Sequence, residues 1–530
     1  MRPDSLNWDL PYASQRDPVL ARNVVATSQP LATQAGIRAL REGGNAIDAA
    51  LAAAITLSVV EPCSNGIGSD AFALVWFDNS LFGLNASGKS PRLWNSECFS
   101  NHKLMPDRGW HSVTVPGAVS AWTELSARFG KLPFARLFDA AIQYAENGFH
   151  VGRRTAYHWK RSETRFQKFS SFRNHFLPRG RAPATGEVFQ SGELARTLEE
   201  VASTHGESFY RGNLAKLIVA QAKNEGGLMR LEDLAAHRAE WCDPLTLSYG
   251  SVDVHEIPPN GQGLAALIAL GLLDRLGVRD FEPGSTVWTH LQVESMKVAI
   301  RAAFEHFADP NAMHIEPECL LDPSTLKRAA DSISRGSAIL PPPDLRVGAD
   351  TVYLCTGDSD GNMVSYIQSN YMGFGSGVVI EGTGIAMQNR GAGFTLKAGH
   401  PNQVGPSKKP FHTIIPGFVT HNDRPELAFG VMGGHMQHQG HVQMVSRIFD
   451  HNENPQAASD APRWHVTPQY ELVLEEGYCQ TTKEELASLG HSVRDAGSAD
   501  LFGGAQLIAC LDDGYCGASD HRKEGLAAGF

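Results

Sequence analysis

The apolar positions near the start of the chain recur with a helical period. Ala35, Ile37, Ala39 and Leu40 follow Pro30, which a first helical turn tolerates, and Ser28 stands where a cap is needed. Gly43-Gly44 ends that helix. Asn45 can cap a second one over residues 46–57, alanine-rich enough to be packed on both sides, and Glu61-Pro62 stops it. After the glycine-bearing turn at residues 64–68, the unbroken apolar run 71–77 has the length of a buried strand. The middle of the chain reads as mainly helical. Residues 116–129 and 137–146 are closed by Gly130 and Gly148, and 264–276 and 288–307 form two further apolar helices.

The pattern changes at residues 334–350. Three consecutive prolines, two glycines and few apolar anchors predict an exposed linker. Strands follow at once: residues 351–356, a hairpin turn at Asp358-Ser359-Asp360-Gly361-Asn362, and an alternating partner over 363–369. A linker that stops abruptly at the edge of a sheet is a natural place for a chain to be cut.

Length and charge narrow the function. A chain of 530 residues exceeds one ordinary core, so two domains or one large two-part unit is expected. A net charge of −11 argues against nucleic acid as a partner. The polar N-terminus has no apolar signal region, and the longest apolar stretch, 49–60, is interrupted by Thr56 and Ser58, so no membrane span is expected. Eight cysteines lack metal-type spacing, which suggests reduced thiols in a cytoplasmic protein.

Taken in order, many segments resemble the γ-glutamyltransferase family of N-terminal-nucleophile (Ntn) hydrolases. They include Gly43-Gly44-Asn45-Ala46-Ile47-Asp48-Ala49-Ala50, Val60-Glu61-Pro62, Val115-Pro116-Gly117, Phe374-Gly375-Ser376-Gly377, Gly433-Gly434, Ala461-Pro462-Arg463 and Gly517-Ala518-Ser519-Asp520. The resemblance runs from about Asn23 to Asp520. It implies an α+β fold, a four-layer α-β-β-α sandwich formed by two autoproteolytic fragments. Cleavage between Asp350 and Thr351 would give a large subunit, 1–350, and a small one, 351–530. Thr351 would then be the nucleophile, Ser369 the hydroxyl that hydrogen-bonds it, and Gly433 and Gly434 the donors to the oxyanion. No cofactor or metal is implied. The partners expected are a small amide and the chain's own other fragment, with a homodimer of processed units as one arrangement.

The chemistry also stands on the residues alone. A threonine hydroxyl is a weak nucleophile without an adjacent base. A freed α-amine, which in simple peptides titrates at about 7.7–8.0, is such a base and does not exist before cleavage. A strand threonine with no role is the alternative for Thr351, a strand serine for Ser369, and a tight turn for Gly433-Gly434. His435, His438 and His441, three apart, invite a metal reading; histidines at the surface or at the rim of a site are the alternative.

Departures from the family bear on the substrate. Where relatives hold a glutamate α-carboxylate with arginine, this chain has Ser87, within Ser87-Gly88-Lys89-Ser90-Pro91; their Ser-Ser pair is His412-Thr413 here. The positions that hold the α-amine are Tyr371, Arg390 and Gly393. Losing an acidic partner and gaining a cation should reject an ammonium group and accept an anion. The pattern is similar to the oxamate amidohydrolase and cephalosporin or glutaryl acylase subgroup. Arg390 or Lys89 is the candidate for the substrate carboxylate, an ordinary surface salt bridge being the alternative for Arg390. A γ-glutamyl hydrolase or transpeptidase, and a catalytically silent homologue suggested by Ser69 and His435, stay open.

Overall fold

The structure, a computed structural model, describes residues 15–339 and 351–530. The start of the chain, the three prolines and Asp350 lie outside the described residues.

Two seven-stranded antiparallel sheets organise the chain. The first runs in the order Leu526–Gly529, Val24–Thr27, Val352–Gly357, Met363–Ser369, Asp70–Phe77, Ser80–Asn85, Glu240–Cys242. The second runs Val19–Ala21, Gly514–Ser519, Gly504–Leu511, Arg424–Met432, Gly417–His421, Val252–Glu256, Leu245–Tyr249. Strand alternation sorts their side chains into three apolar clusters. Phe72, Leu74, Tyr353 and Ile367 of the first sheet meet Phe418, Ala428 and Ile508 of the second. The opposite face of the first sheet, with Ala73, Val75, Leu354 and Val364, packs on Ile47, Leu51 and Trp122 from helices. The opposite face of the second, with Val254, Leu427 and Leu507, packs on Leu267, Leu291 and Val442.

The Ala46–Val60 helix runs three residues beyond the predicted 46–57 and is buried along its whole length. Asn45 and Asp48 form a reciprocal capping box at its start. The preceding helix, Pro30–Arg41, is capped by Gln29 rather than Ser28. Ser28 is diverted: its hydroxyl donates to buried Glu61 at 2.6 Å.

One sequence expectation fails. The strand after the linker, Val352–Gly357, is third of seven and not at a sheet edge. All six of its residues are buried, and a strand with no polar face belongs inside a sheet. Its register fixes the site. Val352 pairs with Gln368, so Thr351 and Ser369 come opposite each other, and Ser369 pairs in turn with Asp70. Thr351, Ser369 and Asp70 therefore form a row across the ends of three adjacent strands.

Candidate active site

A cavity of about 1210 Å³ opens at strand ends from both sheets. Its wall includes Thr351 before one strand, Gly433 after Arg424–Met432 and Gly503 before Gly504–Leu511. Thr351 is buried, and its hydroxyl donates to the Ser369 hydroxyl at 3.2 Å. The Gln437 amide donates to the same Thr351 oxygen at 3.3 Å. The other end of that amide accepts from Ile415 N at 3.0 Å, which sets which atom faces the threonine. Ser369 is oriented from behind by the Tyr371 N–H at 2.8 Å.

Gly433 and Gly434 both have positive φ, +119° and +59°. A side chain at Gly433 would meet Gly503 Cα at 3.0 Å as well as the strained backbone. Gln262 ties this turn down by donating to the Gly434 carbonyl at 2.8 Å and the Thr413 carbonyl at 2.5 Å. Of the two predicted oxyanion glycines, Gly433 stands on the same cavity as Thr351 and Gly434 follows it in the turn before the Gln437–His451 helix.

Of the predicted substrate residues, Tyr371 and Gly393 line the cavity, while Arg390, His412 and Thr413 are not on its wall and form a buried group next to Tyr371. Arg390 is fully buried, its guanidinium stacked 4.1 Å over the Tyr371 ring. Tyr371 lines the cavity and holds a left-handed φ of +78°. Arg390 Nη1 donates to Thr413 Oγ1 at 2.8 Å. Its Nε and Nη2 have no hydrogen-bond partner among the described residues. Burial lowers the guanidinium to about 10, against the opposing pull of Asp70, so it is charged at neutral pH. His412 lies behind Thr413. Its Nε2–H donates to Asp70 at 3.1 Å, and its Nδ1 accepts from Ile414 N at 3.3 Å, which assigns the tautomer. Burial, then Arg390 and Lys409, hold its pKa well below the usual value, so the ring is neutral.

Lys89 does not join this group. Its neighbours Gly88 and Ser90 are buried while Lys89 is exposed, and it is not on the cavity wall. The chain is pinned there, with Val115 N donating to the Lys89 carbonyl at 3.0 Å, so the side chain points outward. Ser87 is buried and donates to Asn85 at 2.7 Å. Gly393 lines the cavity wall.

The three histidines part company. His435 is on the wall, stacked on Phe411, but His438 and His441 are interior, because the Gln437–His451 helix buries residues 437–447 on every side. His441 is spoken for by Glu256 at 2.5 Å. Among the described residues the group close enough to share a metal is His290, Glu294 and His491. The Lys297 ammonium already sits among them, 2.7 Å from Glu294 and 3.3 Å from His491 Nδ1.

Around the cavity, Arg161, Arg165, Lys397, Arg494 and Lys523 outnumber Asp107, Glu471 and Asp500. Each of those carboxylates already lies within 3.8 Å of an arginine. Burial holds His158, His435 and His465 at about 4, so they add no charge at neutral pH. The electrostatic balance of the wall favours an anion.

Sequence reasoning missed Asp70 and Gln437. A charged residue at the head of the apolar 71–77 run was the available signal for Asp70, since a buried carboxylate needs partners. Gln437 carries no comparable mark.

A family model described as gamma-glutamyltranspeptidase matches residues 32–530. The glutathione hydrolase-like YwrD proenzyme of Bacillus subtilis is 35% identical over 519 residues, covering 96% of this chain and 98% of that one. The oxamate amidohydrolase proenzyme of Klebsiella pneumoniae is 36% identical over 515 residues, covering 94% and 97%. The crystal structure of a cephalosporin acylase from Bacillus halodurans is similar at a TM-score of 0.94, with 44% identity over 99% of each chain.

Proposed function

The chain belongs to the gamma-glutamyltranspeptidase family and is an enzyme of its Ntn-hydrolase class, and on that premise we propose a self-processing amidohydrolase for a small amide beside a carboxylate. In this reading the fold is a four-layer α-β-β-α sandwich shared by two fragments, 1–350 and 351–530, and cleavage between Asp350 and Thr351 creates the active enzyme. The freed Thr351 amine takes the hydroxyl proton and Oγ1 attacks the amide carbonyl. Ser369 and Gln437 orient the hydroxyl, and the amides of the Gly433-Gly434 turn receive the oxyanion. The leaving amine departs with a proton, and water hydrolyses the resulting threonine ester.

Arg390 carries the substrate reading. It is a buried cation, not itself on the cavity wall, whose Nε and Nη2 meet no described partner; it is bonded to Thr413 and stacked on Tyr371, which does line the cavity with Thr351. A carboxylate satisfies two such donors at once. An α-ammonium group would meet like charge instead. Oxamate has the required features. The test is ammonia release from oxamate beside nitroaniline release from γ-glutamyl-p-nitroanilide, with N-terminal sequencing of the small fragment. A start other than Thr351, or faster turnover of the γ-glutamyl compound, defeats the reading.

The cavity volume favours a second reading, an acylase for a bulkier carboxylated amide. About 1210 Å³ far exceeds what oxamate fills and lies above the usual range for small-ligand sites. Glutaryl-p-nitroanilide, assayed alongside, discriminates the two.

A further inference from the structure

We propose that Asp70 is the internal counter-charge of Arg390, and that an anion seated on Arg390 draws one proton from solvent onto the Asp70 carboxylate. This rests on the reading of Arg390 as the substrate's carboxylate site.

The geometry joins the two groups through one dipeptide. Asp70 Oδ2 accepts from His412, while the adjacent Thr413 accepts from Arg390 Nη1. Asp70 and Arg390 are both fully buried, and no carboxylate lies within 4.0 Å of Arg390 among the described residues. A buried guanidinium needs negative charge nearby, and Asp70 supplies it at one remove. Asp70 is itself weakly compensated. Its Oδ1 accepts only the long amides of Gly88, at 3.3 Å, and Gly117, at 3.1 Å, and its imidazole partner is neutral. The other groups that feel it are Lys409, whose ammonium is bound to Glu240 at 2.7 Å, and the un-ionised phenol of Tyr210.

Burial lifts the Asp70 carboxyl to about 7, and the Arg390 charge is the strongest of the influences holding it down. An anion on Arg390 cancels that restraint, so the carboxyl rises further. Above pH 7 the free protein then holds Asp70 ionised and the anion complex holds it protonated. Below pH 7 both forms are protonated and no proton moves. Anion affinity accordingly falls with rising pH, by up to tenfold per unit, between the free and bound values.

The probe is oxalate, which has no amide to cleave and does not titrate near neutrality. Calorimetry of the processed wild-type enzyme in two buffers of different ionisation enthalpy reads the protons taken up. Uptake should approach one proton at about pH 8 and vanish at about pH 6. Asp70→Asn should abolish the uptake and flatten the pH dependence of affinity. If that variant does not fold, infrared difference spectra of the wild type should show a protonated carboxyl appearing as oxalate binds at the higher pH. Oxalate binding that depends on Arg390 but moves no proton overturns the proposal alone, as does uptake that survives Asp70→Asn. Binding unchanged in Arg390→Met overturns the carboxylate-site reading and this proposal with it.

Discussion

The two sides of the candidate site, the strand ends and the buried group next to Tyr371, are built differently. Thr351 and Ser369 sit at the ends of adjacent strands whose register is set by ladders of cross-strand pairs. Arg390, Tyr371 and Thr413 come from irregular chain, fixed by a stacked ring, the Arg390–Thr413 bond, the Gln262 bond to the Thr413 carbonyl, the Tyr371 N–H bond to Ser369 and a left-handed tyrosine. The strand side positions two hydroxyls with little electrostatic cost. The loop side buries a full charge whose partner stands behind His412 and Thr413. In the proposed function, rigid sheet serves the reaction common to all amides, and irregular chain carries the choice among them.

The sharpest way to break this division is to remove the proposed nucleophile. Thr351→Ala should leave a single uncut band on a denaturing gel and no amidase activity; any residual cut at this bond would move the nucleophile elsewhere. Arg390→Met should cut normally yet lose roughly 100-fold or more in kcat/KM for carboxylated amides, the scale expected for a charge-assisted bidentate contact. If Arg390→Met also fails to process, the two sides are not separable. Ser369→Ala should slow processing and turnover together, by about 10- to 100-fold, because it orients the hydroxyl used in both. Tyr371→Leu should act on KM more than on kcat, by severalfold, since a buried cation–π contact is worth about 0.5–2 kcal/mol. The smallest effect is the control. Asn45→Ala removes a helix cap remote from both sides and should lower stability by about 1 kcal/mol in chemical unfolding, with relative kcat/KM values unchanged.

The strand side was the more legible from sequence. The change of pattern at residue 351, the 358–362 turn and the 363–369 alternation placed the hairpin correctly, because hairpin chemistry is local. Its position inside the sheet was not legible, since its neighbours Val24–Thr27 and Asp70–Phe77 come from some three hundred residues earlier. The loop side was legible by residue type but not by place. Arg390 and Lys89 looked equivalent as cations, and only the path of the chain buries one and exposes the other. The periodicity of His435, His438 and His441 predicted a shared helix face, but His435 stands in the Gly434–Met436 turn on the cavity wall, while His438 and His441 lie in the part of the following helix that is buried all round. Asp70 was hidden for a related reason: its partners on the His412–Thr413 dipeptide lie more than three hundred residues away.

The strand order has a further consequence. In the first sheet the earlier strand Val24–Thr27 lies between later ones, Leu526–Gly529 and Val352–Gly357, and the second sheet holds later strands between earlier ones. A chain severed ahead of Thr351 therefore has no seam along which its pieces can part. Dilution should not separate them, neither should fold when expressed without the other, and melting should be one event for both. The proposed cut would change the chemistry of one terminus and leave the architecture a single body, giving a reactive end without a dissociable dimer.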